Sequence, residues 1–95
     1  MTAPIETVRL RISGQVQGVG YRLWATRTAA SLGLRGWVRN RLDGSVEALV
    51  TGTPGAVAAM LEACRDGPRG AQVTEVAVVP DEDDGSLGFR MLPTE

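Results

Sequence analysis

The sequence contains no histidine and only one cysteine, Cys64, among its 95 residues. A single chain of this composition cannot close a disulfide or build a Cys–His metal site. It also has no imidazole for a catalytic triad or for a phosphohistidine intermediate. These absences exclude most of the hydrolase mechanisms that rely on histidine, and we expect no metal and no cofactor.

Lysine is absent as well, so every positive charge is an arginine and the net charge is −1. A near-neutral domain without a strongly basic face is a poor candidate for binding nucleic acid. The two tryptophans, Trp24 and Trp37, fall on different predicted elements and do not suggest a base-stacking platform. Any cationic ligand-binding group must therefore be a guanidinium, which binds oxyanions in a bidentate fork.

Long hydrophobic runs are missing, and residues 1–6 have neither the basic nor the apolar region of a signal peptide. We therefore expect a cytoplasmic protein that makes no contact with a membrane. A chain of 95 residues has room for one domain, which we predict to span residues 1–95. Nothing in the sequence indicates oligomerisation, so we expect a monomer.

Alternating apolar residues predict strands, and spacings of three and four predict helices. The predicted strands cover residues 7–13, 35–40, 45–51, 71–79 and 87–92, and the predicted helices cover residues 21–32 and 54–66. Asp43-Gly44 marks a hairpin turn, and Thr53-Pro54 marks a helix start. This order predicts an α+β, ferredoxin-like (split βαβ) sandwich, with two helices on one face of a four- to five-stranded antiparallel sheet.

The most informative loop runs from Gly14 to Gly20, between the first strand and the first helix. Glycines before a helix start can direct backbone N–H groups towards an anion, although an ordinary tight turn is the preferred interpretation when the loop is taken alone. Arg22 follows in the first helical turn, where a cation is unfavourable unless an anion is bound nearby. An exposed side chain in solvent is the alternative interpretation for this arginine.

Other polar residues favour structural interpretations when they are taken alone. Asn40 ends the second predicted strand, where asparagine often caps a turn. Cys64 lies on the apolar stripe of the second helix and is interpreted as a core residue. The acidic residues 81–84 are interpreted as a solvated loop rather than a cation site. Glu47 and Glu75 are expected on the wet face of the sheet.

Two segments resemble the signatures of the acylphosphatase family. Residues 14–22, Gly-Gln-Val-Gln-Gly-Val-Gly-Tyr-Arg, resemble the first signature, and residues 36–47, Gly-Trp-Val-Arg-Asn-Arg-Leu-Asp-Gly-Ser-Val-Glu, resemble the second. The resemblance extends over about residues 8–89. It implies metal-independent hydrolysis of the carboxyl-phosphate bond of small acyl phosphates, with inorganic phosphate as product or inhibitor.

The resemblance also implies roles for particular residues. Arg22 would bind the phosphoryl oxygens, and Asn40 would hold the attacking water. Backbone N–H groups of the intervening loop would surround the phosphoryl group. The residues of this loop are Gln15, Val16, Gln17, Gly18, Val19, Gly20 and Tyr21.

Other classes of function make different demands on the sequence. A ferredoxin-like module that senses an anion without turnover would need the loop and Arg22 but not Asn40. An RNA-binding domain of the same topology would need paired aromatic residues on central strands and a basic surface, and neither is evident. A domain taken from a larger carbamoyl-transfer protein is a further alternative. The position of the first and last predicted strands led us to expect a free-standing enzyme.

Overall fold

The computed structural model describes residues 4–95, which form two helices and one five-stranded sheet. In chain order the elements are β1 (Glu6–Gln15), α1 (Tyr21–Ser31), β2 (Arg35–Asn40), β3 (Val46–Gly52), α2 (Pro54–Asp66), β4 (Gln72–Pro80) and β5 (Phe89–Met91). This architecture confirms the predicted ferredoxin-like α+β fold. Within residues 4–95, neither helix has the length and apolar character needed to cross a membrane.

The strands of the sheet lie in the order β4-β1-β3-β2-β5. The pairs β1–β4, β1–β3 and β2–β3 are antiparallel, as expected. The last strand differs from the expectation of a wholly antiparallel sheet, because β5 runs parallel to β2. After β4 the chain reverses direction and crosses to the opposite edge of the sheet. There β5 runs in the same direction as its neighbour β2.

Both helices pack on the same face of the sheet, as the sequence predicts, and the core lies between these two layers. The buried core residues are Leu10, Ile12, Val16, Tyr21, Ala25, Ala29, Leu34, Val38, Val46, Ala48, Val50, Val57, Met60 and Cys64. Cys64 is therefore a core residue, and burial raises the pKa of its thiol to about 11. A thiol in this environment is packed rather than reactive.

Local signals fix the ends of the helices. The Thr53 side chain caps α2 by accepting a hydrogen bond from the backbone N–H of Ala56 at 3.3 Å. Helix α1 ends at Ser31, and Gly33 just beyond it has a φ of 71°, which is readily adopted only without a Cβ. The N–H of Leu34 then donates to the carbonyl of Ala29 at 3.0 Å, which completes a Schellman motif.

The connection between β4 and β5 carries the acidic residues that we interpreted as a solvated loop. Its side chains are largely exposed, but they are not free. Asp81 accepts a hydrogen bond from Arg9 at 2.7 Å, and Asp84 accepts one from the indole N–H of Trp37 at 3.1 Å. Asp83 pairs with Arg35, which like Arg9 and Trp37 lies on the open face of the sheet, the face opposite the helices. The connection is therefore bound to the face opposite the helices, which local composition could not indicate.

Glu47 also differs from its prediction. It lies on the open face, but only 6% of the residue is exposed. Its carboxylate contacts the guanidinium of Arg39 at 2.8 Å, of Arg9 at 3.3 Å and of Arg41 at 3.7 Å. The arginine side chains cover the carboxylate, because their long stems can lie along the sheet while the charges pair. Glu75 is exposed, as expected.

Candidate active site

A cavity of about 180 Å³ lies at the N-terminus of α1. Its walls come from the loop after β1, the first turn of α1, the end of β2 and the last strand. The lining residues are Val16, Gln17, Gly18, Gly20, Tyr21, Arg22, Leu23, Asn40 and Met91. The cavity therefore brings together the glycine loop and the two side chains singled out from the sequence, Arg22 and Asn40.

Backbone N–H groups provide the first set of hydrogen-bond donors at this cavity. Gly18 and Gly20 have φ values of 75° and 78°, so the loop turns in left-handed conformations. Within the described residues 4–95, the N–H groups of residues 17–20 have no hydrogen-bond acceptor. The first turn of α1 adds N–H groups that no helical carbonyl can reach, and Gly20 offers no side-chain cap. Such a concave set of donors is suited to an anion.

Arg22 supplies the positive charge at the edge of the cavity. Its Nη1 donates to the backbone carbonyl of Leu92 at 3.2 Å, which fixes one branch of the guanidinium. No carboxylate pairs with it within residues 4–95. A guanidinium carries five N–H donors, so most of its hydrogen-bonding capacity remains available to an oxyanion.

Asn40 reaches the same cavity from the last position of β2. Its backbone is held on both sides, since it pairs with Val46 of β3 and its carbonyl accepts from the N–H of Glu95 at 3.0 Å. The side-chain amide has no partner within residues 4–95, although it is only partly exposed. The Asn40 amide is therefore not used to cap its own turn, and its donor and acceptor groups are available at the cavity.

The remaining predicted loop residues contribute unequally. The side chain of Tyr21 points into the core, where its hydroxyl donates to the carbonyl of Cys64 at 2.7 Å and burial raises the pKa of the phenol. Tyr21 can therefore offer only its backbone to the cavity. Gln15 pairs with Gln72 at the end of β1, and neither Gln15 nor Val19 is among the residues that line the cavity.

Sequence reasoning missed three residues of the site, which are Leu23 in the first turn of α1, Met91 and Leu92. Met91 lines the cavity, and Leu92 supplies the carbonyl that binds Arg22. Met91 is the last residue of β5 and Leu92 follows it, and the position of β5 beside β2 brings these residues to the site. An apolar residue near a terminus carries no local signal of this role, because the contact is with Arg22, far away in the sequence.

Fold and cavity together define a small α+β domain with a donor-lined cavity at a helix N-terminus. A statistical model of the family described as Acylphosphatase matches residues 8–91. The acylphosphatase of Rhodospirillum rubrum is 52% identical over 90 residues, which cover 95% of this chain and 99% of that protein. The chain belongs to the acylphosphatase family. It is an enzyme with acylphosphatase function, which is hydrolysis of the carboxyl-phosphate bond of acyl phosphates.

Solved structures support the same assignment. The acylphosphatase of Bacillus subtilis superimposes with a TM-score of 0.89 at 33% identity, and the match covers 94% of this chain and 99% of that one. Full-length HypF, in a phosphate- and nucleotide-bound form, matches with a TM-score of 0.91. That match has 24% identity and covers 13% of the HypF chain, so it shows the fold alone. The alternative of a sensor module without turnover is not favoured.

Proposed function

We propose that the cavity at the N-terminus of α1 is the active site, with Arg22 and Asn40 as its catalytic side chains. The observation that carries this proposal is their convergence: Asn40 lines the same cavity as the glycine loop and Arg22, although it comes from a separate segment of the chain. The substrate is a small acyl phosphate, and the products are a carboxylate and inorganic phosphate. Residues 1–95 act as one domain in this reaction.

Binding uses the charge of the phosphoryl group. Loop N–H groups between Val16 and Tyr21 donate to its oxygens, and the Arg22 guanidinium binds them in a fork. These groups also stabilise the transition state, because phosphoryl transfer spreads negative charge over the equatorial oxygens. The donors are fixed before substrate arrives, so little reorganisation is needed as the charge moves.

The attacking water must be placed correctly relative to the phosphorus, and this matters more than removing its proton beforehand. The Asn40 amide orients a water molecule in line with the bond between phosphorus and the acyl oxygen. As the new P–O bond forms, the P–O bond to the acyl group breaks and its electron pair leaves with the carboxylate. A carboxylate is a good leaving group, so no strong general acid is needed to protonate it.

The proton of the attacking water passes to a phosphoryl oxygen of the substrate. In support, none of the cavity-lining residues within the described chain carries a carboxylate or an imidazole, and the Tyr21 hydroxyl is occupied by the Cys64 carbonyl. A proton inventory that required a protein base in the transition state would contradict this step. The same lining of described residues carries no carboxylate, imidazole or thiolate that would bind a divalent metal strongly, so the positive charge comes from Arg22 and the N–H groups.

Hydrolysis of benzoyl phosphate in EDTA tests the proposal, with Asn40→Ala measured beside the wild type. We expect fast turnover by the wild type and a large loss of kcat in the variant, while inorganic phosphate still inhibits both. Gln72→Ala is the matched control, because it removes an exposed amide from β4. Turnover that survived in Asn40→Ala would refute the role given to the asparagine. Turnover that required added metal would refute the metal-independent mechanism.

We also propose that the enzyme is a cytoplasmic monomer. The single buried thiol of Cys64 supports a reducing compartment, because intrachain disulfides, common in secreted small domains, are impossible here. Cell fractionation checks the location. Light scattering behind size-exclusion chromatography checks the mass, which for a monomer is 10.1 kDa.

A further inference from the structure

Gln17 makes the most specific side-chain contact of the glycine loop. Its Nε2 lies 2.8 Å from the carbonyl oxygen of Arg41 and 2.9 Å from that of Ser45. Two carbonyls can only accept, so the amide nitrogen must face them and each of its two hydrogens has one acceptor. The orientation of this side chain is therefore fixed by chemistry.

The two acceptors of Gln17 close the hairpin turn that follows Asn40. The N–H of Arg41 donates to the carbonyl of Ser45 at 2.8 Å, and the N–H of Gly44 donates to the carbonyl of Arg41 at 3.1 Å. Each carbonyl thus uses one lone pair within the turn and offers the other to Gln17. The side chain is only partly exposed, so water competes poorly for these bonds.

This contact joins the two halves of the active site. The loop that contains Gln17 provides the N–H groups for the phosphoryl group, whereas the turn at Arg41 directly follows the residue that holds water. The loop and β2 are separated in the sequence by the whole of α1. Within residues 4–95, Gln17 is the only loop residue whose side chain bonds to this hairpin.

We propose that Gln17 is a positioning residue, whose side chain sets the distance between the phosphoryl site and the water held by Asn40. The inference rests on the proposed function, because it assigns phosphate to the loop and water to Asn40. In-line attack is sensitive to this distance, since a displacement of about 1 Å can cost on the order of 100-fold in rate. Phosphate binding alone does not depend on it.

Gln17→Met tests the proposal, because it keeps the length of the side chain but removes both donors. We expect kcat for benzoyl phosphate to fall by about 10- to 100-fold. The inhibition constant of inorganic phosphate should stay at the wild-type value. Gln17→Asn, which keeps the amide but shortens its reach, should show the same split if Gln17→Met folds poorly. Gln72→Met makes the same chemical change at an exposed site and is the control.

A fall in kcat with an unchanged inhibition constant for phosphate separates a positioning role of Gln17 from a purely structural one. Loss of two hydrogen bonds should lower Tm in either case, so the assays are run well below the Tm of each variant. An unchanged kcat would mean that Gln17 only stabilises the fold and would overturn the proposal. A rise in the inhibition constant parallel to the fall in kcat would also overturn it, because the phosphoryl site itself would then be damaged.

A double-mutant cycle with Asn40→Ala shows whether Gln17 acts through the asparagine. We expect Gln17→Met to cause no further loss of kcat once Asn40 is replaced. Losses that multiply would overturn the inference and leave the proposed function intact. If Asn40→Ala alone kept the wild-type kcat, the water assignment in the proposed function would fail, and the inference would fail with it.

Discussion

Protection by inorganic phosphate is the sharpest test of the anion site, and Arg22→Ala is the decisive perturbation. A ligand that binds only the folded state at 100 times its Kd stabilises it by about 2.7 kcal/mol. For a domain of this size, 1 kcal/mol corresponds to a Tm shift of about 4–8 °C, so the wild type should gain roughly 10–20 °C.

The expected loss follows from the contacts of Arg22. One branch of the guanidinium is occupied by the Leu92 carbonyl at 3.2 Å, and the free donors face the cavity. Loss of even one charge-assisted hydrogen bond, worth about 1.5–3 kcal/mol, weakens binding by roughly 10- to 160-fold. At the same phosphate concentration the stabilisation then falls to about 0.3–1.3 kcal/mol.

Differential scanning fluorimetry of each variant, with and without phosphate, measures this difference. Arg27→Ala is the matched control, because it removes an exposed charge from the same helix and should keep the full phosphate shift. Arg22→Lys should resemble alanine more than the wild type, since an ammonium lacks the planar fork. Equal protection of Arg22→Ala and the wild type would refute the assignment of Arg22 as the anion ligand.

Three further predictions concern stability. Gly36→Ala should unfold the protein or lower its Tm drastically, because a Cβ there would lie 1.8 Å from the Leu49 carbonyl oxygen on a backbone with φ of 137°. Gly55 lies on α2, and a Cβ added there would meet open space. Gly55→Ala should therefore raise the free energy of unfolding by about 0.5–1 kcal/mol, as measured by urea titration. Hydrogen bonds from Ser86 and from the Trp37 indole lower the pKa of Asp84, so its stabilising contribution is present above about pH 4 and is lost as the pH falls through the lowered pKa. Asp84→Asn should therefore flatten the acid limb of a plot of Tm against pH, and an unchanged limb would contradict the lowered pKa of Asp84.

Local rules predicted the elements well where the signal lies within a few residues. The cap of α2 at Thr53 and the bounds of β2 match the sequence prediction. The parallel partner of β5 was not predicted, because its direction depends on a crossing of the whole sheet. Composition likewise identified an acidic connection but not its arginine partners, which lie on strands distant in the sequence.

For the candidate site too, local sequence signals were predictive and contacts between distant segments were not. The pattern around Arg22 and Asn40 resembled a known family, and both side chains line one cavity. The side-chain bonds of Gln17 and the carbonyl of Leu92 could not be predicted, because they depend on how the hairpin and the end of the chain meet the loop. Periodicity reports which face of an element is buried, but it does not report which distant backbone a polar side chain meets.

The strand order has a consequence for how this protein is made. The first strand, β1, is central, and one of its two neighbours is β4 near the end of the chain. A nascent chain leaving the ribosome can therefore form α1 and the β2–β3 hairpin early, but β1 keeps one unpaired edge until Gln72–Pro80 has emerged. Pairing of this edge is thus postponed until β4 has been synthesised, when a partner for it first exists.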